Sequence, residues 1–118
     1  MKILGDLEQK IMNVVWNHQG SVSVREVMNE LKDDCAYTTV MTVMKRLSDK
    51  GLLVRKLDRK TYVYSPAKEK GEFAKNKLSD LFKNLMNSYG ELAISQFVDS
   101  VKNNPEDLET LKDYLQDE

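Results

Sequence analysis

The chain has 118 residues, 41% of them hydrophobic and 31% charged, and a net charge of −1. That size and balance suit one domain, or one small domain with an appendage, of ordinary globular composition. They exclude a membrane helix, because no run approaches the ~20 apolar residues required, and a chain that is a polycation throughout; the single cysteine, Cys35, excludes an intrachain disulfide.

Met1–Asp6 has no long apolar run followed by a small-residue cleavage site, so the cytoplasm is the expected location. A first helix is predicted from Asp6, as N-cap, to about His18, with Leu7, Ile11, Val14, Val15 and His18 at helical spacing and Gly20 as its stop. A second begins at Ser23, where Ser23-Val24-Arg25-Glu26 forms a capping box, and carries the stripe Val24, Val27, Met28, Leu31. From Tyr37 to Lys50, propensity and periodicity conflict. Thr38 to Val43 is rich in β-branched residues, which favours a strand. Yet Val40, Val43, Met44 and Leu47 fall on one helical face, with Thr38, Thr42, Lys45, Arg46 and Asp49 opposite and Thr39 flanking. The spacing predicts a helix, stopped by Gly51. Leu52–Leu57 and Thr61–Ser65 read as strands of a hairpin around Asp58-Arg59-Lys60, closed by Pro66.

The rest reads as helical. Leu78, Leu81, Phe82, Leu85 and Tyr89 stripe a helix from about Glu69 to Tyr89, which Gly90 breaks. Ala93, Ile94, Phe97, Val98 and Val101 stripe the next, to Asn103. Asn104-Pro105-Glu106-Asp107 is a helix start, with a cap, proline at the first position and acids in the first turn. Leu108, Leu111 and Leu115 carry that helix to the chain's end.

Charge divides along the same line. Residues 1–66 hold eleven basic and eight acidic residues, and residues 67–118 hold seven and eleven; within 45–60 seven basic residues face two acids. Such a basic patch suits phosphates. Three helices followed by a basic hairpin is the winged helix-turn-helix plan, so the expected fold is mainly α with a small β-hairpin. A winged-helix DNA-binding domain is expected over 1–67, and a helical dimerisation domain over 68–118. In that plan the N-terminal residues of the third helix meet base edges. Thr38, Thr39 and Thr42 are the expected readers, since threonine offers a hydroxyl and a methyl. Tyr37, Lys45, Arg46, Arg55, Lys56, Arg59 and Lys60 are the expected backbone contacts.

Some fifty C-terminal residues cannot close a generous core alone. Leu78, Leu81, Phe82, Leu85, Tyr89, Phe97, Val101, Leu108, Leu111 and Leu115 are therefore expected to meet a second copy, and a two-fold homodimer matches a palindromic operator in double-stranded DNA. The alternatives are a stripe folded back on the winged domain and, for function, a winged-helix module that binds protein.

Four blocks carry a family resemblance: Glu8–Trp16 (EQKIMNVVW), Val22–Leu31 (VSVREVMNEL), Ala36–Gly51 (AYTTVMTVMKRLSDKG) and Tyr62–Pro66 (YVYSP). They resemble the penicillinase and methicillin-resistance repressor family, which also includes copper-responsive repressors. The resemblance implies a dimeric winged-helix repressor at an operator near a promoter, with Thr38 and Thr39 as the main base readers and β-lactam resistance as the expected setting. In the β-lactam branch a membrane sensor-protease triggers repressor cleavage at an Asn-Phe pair. That pair falls on Gln96-Phe97, where the phenylalanine matches and the asparagine does not. The copper branch ends in Cys-x-Cys pairs, absent from Tyr114–Glu118, and a repressor of the same family answering another signal is a further alternative. No cofactor, metal or small-molecule substrate is expected. His18 and Cys35 are isolated soft ligands, and no nucleophile elbow, phosphate loop or acid–base pair marks an enzyme. Trp16 is expected to be core or a clamp between the two halves.

Overall fold

A computed structural model of the chain describes residues 4–32 and 35–116. The last helix's expected continuation over 117–118 lies outside the described residues, as do Met1–Ile3. In chain order the elements are α1 (Asp6–Asn17), β1 (Val22–Ser23), α2 (Val24–Glu30), α3 (Tyr37–Asp49), β2 (Leu53–Asp58), β3 (Thr61–Pro66), α4 (Lys70–Tyr89), α5 (Glu91–Lys102) and α6 (Pro105–Gln116). No described helix is long and apolar enough to cross a membrane.

The chain forms two compact units, residues 1–75 and 76–118, which divide within α4. In the first unit, one core gathers Ile11, Met12 and Val15 of α1, Val24 and Val27 of α2, Val40, Val43, Met44 and Leu47 of α3, and Val22, Leu53 and Tyr64 of the sheet. All four stripe residues of α3 are buried. Burial of that face outweighs the β-prone composition of 38–43, because tertiary packing overrides a propensity difference of a few tenths of a kcal/mol per residue. Beyond Asp49 the chain closes in a Schellman turn. The Gly51 amide donates to the Ser48 carbonyl (3.0 Å) and the Leu52 amide to the Leu47 carbonyl (2.9 Å). Gly51 takes φ +83°, a conformation costly for any residue with a Cβ.

Two local details differ from the sequence expectation. Gly5, not Asp6, is the N-cap of α1, and the Glu8 carboxylate accepts the Gly5 amide at 3.0 Å. Asp6 instead sits in the first turn, where its charge faces the positive end of the helix dipole. The second difference is β1. Val22 and Ser23 pair antiparallel with Tyr64 and Val63, which makes a three-stranded sheet of order β1-β3-β2. Two residues have no periodicity to detect, and their partners lie far along the chain. The α2 capping box is present, with Ser23 Oγ accepting the Glu26 amide and Glu26 Oε1 accepting the Ser23 amide.

Trp16 belongs wholly to the first unit. Its indole N–H donates to the Lys68 carbonyl (3.0 Å), and its ring lies 5.3 Å from that of Phe73 in the first turns of α4. In the second unit α5 packs against α6. Asn104 caps α6 as expected, its Oδ1 accepting the amides of Glu106 and Asp107.

Candidate nucleic-acid interface

Burying Val40, Val43, Met44 and Leu47 forces the other face of α3 outward, and Tyr37, Thr38, Thr39, Thr42, Lys45 and Arg46 are all exposed. The three threonines differ in what they offer. Thr42 Oγ1 donates to the Thr38 carbonyl one turn back at 2.8 Å. Its hydroxyl proton is thereby engaged, and Thr42 presents lone pairs and a methyl group. Among the described residues no hydrogen bond engages the side chains of Thr38 or Thr39, which keep both donor and acceptor.

The hairpin register decides which wing residues face α3. Arg55 pairs with Tyr64, Leu57 with Tyr62, and Lys56 with Val63. Strand side chains alternate between faces, so Arg55, Tyr62 and Tyr64 share one face and Lys56 takes the other. A groove follows between α3 and the wing, its walls formed by Arg25, Tyr37, Thr42 and Lys45 on the helical side and by Arg55, Lys60 and Tyr62 on the sheet side. No carboxylate lines it. Donors and positive charge without competing acceptors suit an anionic backbone. Lys56, Arg59 and Arg46 lie outside this lining. Arg46 instead lies close enough to Glu8 for its charge to help hold that carboxyl below the usual range. The larger causes there are the Gly5 amide and Lys50, whose Nζ is 3.1 Å from Glu8 Oε2.

The hairpin turn itself is two residues, Arg59 and Lys60, at φ +50° and +72°. Both central residues at positive φ is the geometry of a type I′ turn, normally built with asparagine and glycine.

In the helical unit half of the ten residues expected to meet a second copy are exposed, among them Phe82, Tyr89 and Phe97; with Leu92 and Ile94 beside them, these are between 48% and 73% exposed. Phe82, Leu85, Met86, Tyr89, Leu92 and Phe97 line one open apolar groove. Leu78 and Leu115 are also exposed, while Leu81, Leu108 and Leu111 are half-buried. Val101, expected to meet a second copy, is instead already buried within the single chain. Gln96 and Phe97 lie in the middle of α5, where Ser100 Oγ donates to the Gln96 carbonyl at 3.0 Å.

A model of the penicillinase repressor family matches residues 4–117. The chain belongs to the penicillinase repressor family. The chain is 34% identical over 101 residues to the transcriptional regulator BlaI of Mycobacterium tuberculosis, covering 83% of this chain and 73% of that one. It is 23% identical over 116 residues to the penicillinase repressor of Bacillus licheniformis, covering 97% and 90%. Solved structures resemble it, among them two of BlaI. The solution structure of the DNA-binding domain of the repressor BlaI gives a TM-score of 0.52 at 30% identity, covering 58% of this chain and 84% of that one. The B. licheniformis BlaI monomeric form in complex with the blaP half-operator gives 0.50 at 28% identity, covering 59% and 87%. The fold is thus a winged helix-turn-helix with a three-stranded antiparallel sheet.

Two residues of the groove were not singled out from sequence. Arg25 stands apart from the 45–60 basic cluster, so local charge counting passes over it. Tyr62 reads simply as a β-prone strand residue; only its alternation with Tyr64 and the register against Arg55 place it on the groove face.

Proposed function

We propose that this member of the penicillinase repressor family is a sequence-specific repressor that binds a palindromic operator as a homodimer. The α3 threonines read base edges, the basic groove grips phosphates, and the apolar face of α4 and α5 meets a second copy. The observation that carries this reading is the carboxylate-free groove between the exposed face of α3 and the wing, lined by Arg25, Lys45, Arg55 and Lys60. It is supported by the likeness to the BlaI structure in complex with a half-operator. An exposed apolar band of this size on a small unit argues for a partner, and self-association is the commonest solution.

Gel shift of the full chain against duplexes from its own upstream region, with sedimentation velocity on the free protein, tests both parts. A shift at low salt and a two-chain species are expected. No shift on any duplex at low salt would favour a winged-helix module that binds protein instead.

A narrower reading adds relief of repression by a membrane sensor-protease pathway that cuts between Gln96 and Phe97. It requires α5 to open, because that bond lies mid-helix and a protease takes an extended segment. Blotting cells exposed to a β-lactam for a fragment ending at Gln96 tests it; an intact repressor removes this branch and leaves DNA binding untouched.

A further inference from the structure

The helical wall of the groove holds a charge that the expected backbone contacts leave out. Arg25 lies in the first turn of α2, exposed, with its guanidinium carbon 5.7 Å from the centroid of the Tyr37 ring. Across the groove Arg55 repeats the arrangement more tightly, 3.9 Å above the ring of Tyr62. An arginine within ~6 Å of an aromatic face is held by cation–π attraction, and its N–H edge stays free for other acceptors.

Neither arginine pairs with a carboxylate among the described residues. The acid beside Arg25 in sequence, Glu26, is committed elsewhere. Its Oε1 accepts the Ser23 amide at 3.1 Å, and its Oε2 is 3.8 Å from His18 Nε2. Arg25 therefore brings an uncompensated, pre-oriented guanidinium to the rim of a basic groove. A flexible side chain that must be ordered on binding loses affinity, and one already laid against a ring loses less.

We propose that Arg25 is a further DNA-phosphate contact, held in readiness by Tyr37, and that with Arg55 on Tyr62 it forms two opposed guanidinium clamps on the walls of the groove. The proposal rests on the DNA-binding reading above. A phosphodiester oxygen is the fitting acceptor, because the planar fork of arginine matches it with two parallel N–H bonds where an ammonium presents a point charge.

The test is anisotropy titration of a labelled mixed-sequence duplex with the full chain, over a series of salt concentrations, for the parent, Arg25→Ala and Arg25→Lys. In the parent, log affinity falls linearly with log salt. Arg25→Ala makes that slope shallower by about 0.9 for each protomer bound and weakens binding by roughly tenfold, on every sequence alike. Arg25→Lys restores the slope and leaves the affinity short of the parent's. It also matches the parent in charge and helix propensity, so the test stands even where Arg25→Ala folds poorly. An unchanged slope in Arg25→Ala overturns the contact, and parent-like affinity in Arg25→Lys overturns the stacked fork. A parent that binds no duplex at low salt overturns the DNA-binding reading itself, a result distinguishable from both.

Discussion

Thr42 directs its hydroxyl proton to the Thr38 carbonyl, while Thr38 and Thr39 keep theirs. A base edge that presents an acceptor thus finds a donor at Thr38 and Thr39 but only lone pairs at Thr42. Thr39→Ala is accordingly expected to weaken binding to the preferred operator duplex by about 1–3 kcal/mol while changing mixed-sequence binding little. Thr42→Val, which keeps the shape and the methyl groups, is expected to lose less than Thr39→Ala; a larger loss at Thr42 in competitive gel shifts would show that its lone pairs carry the readout. Lys60 belongs to a different class. It lies on the sheet side of the groove, and if it contacts phosphate there, Lys60→Ala should weaken all duplexes in parallel and flatten the salt dependence.

At the level of elements, the wing turn and the α1–α3 junction illustrate two kinds of local energetics. Arg59 and Lys60 hold positive φ without being glycine or asparagine, at roughly 1–2 kcal/mol each relative to residues suited to it. The sequence forgoes the asparagine–glycine pair that relaxes such a turn and keeps two positive charges in its place. The double change Arg59→Asn with Lys60→Gly is expected to raise the thermal midpoint while lowering duplex affinity, both measurable on one preparation. At the junction, Glu8 joins the start of α1 to Lys50 at the end of α3. Its folded-state pKa lies below its unfolded one, chiefly through the Gly5 amide and then Lys50. Ionised Glu8 therefore stabilises the fold fully above the unfolded value, about 4.3, and that contribution is lost as pH falls through the folded value. Denaturation of the parent and Glu8→Gln should show a stability gap at neutral pH that closes as acidification carries the pH through the depressed folded value. A gap that persists in acid would show that Glu8 acts through packing.

Elements with a long stripe were legible in sequence. The helix α3 follows from Val40, Val43, Met44 and Leu47 in spite of its threonines, and α6 from the Asn104-Pro105 start. What escaped depended on non-local pairing. The strand β1 exists only because Tyr64 and Val63 lie beside it, and Arg25 gains a role only when Tyr37 is brought under it. Of the candidate contacts, Arg55 and Lys56 look equivalent as neighbours in sequence, and only the strand register separates their faces.

For the molecule as a whole, the second unit leaves Phe82, Leu92 and Phe97 in water, with Val101 its buried hydrophobic residue among those described. If a second copy covers this face, Phe82→Arg should shift sedimentation from a two-chain to a one-chain species. It should also lower affinity for a duplex carrying both half-sites far more than for a single half-site, since pairing two readers multiplies affinity by about 10²–10⁴. An unchanged sedimentation profile would place the self-contact on another surface. Within the first unit, Ser23 stands in two structures at once, as the residue of β1 opposite Val63 and as the cap that starts α2. The main chain thus fastens the wing's inner strand to the helix that bears Arg25. If a duplex seats in the groove between them, base pairs that no side chain touches are expected to alter affinity through how readily they bend or narrow.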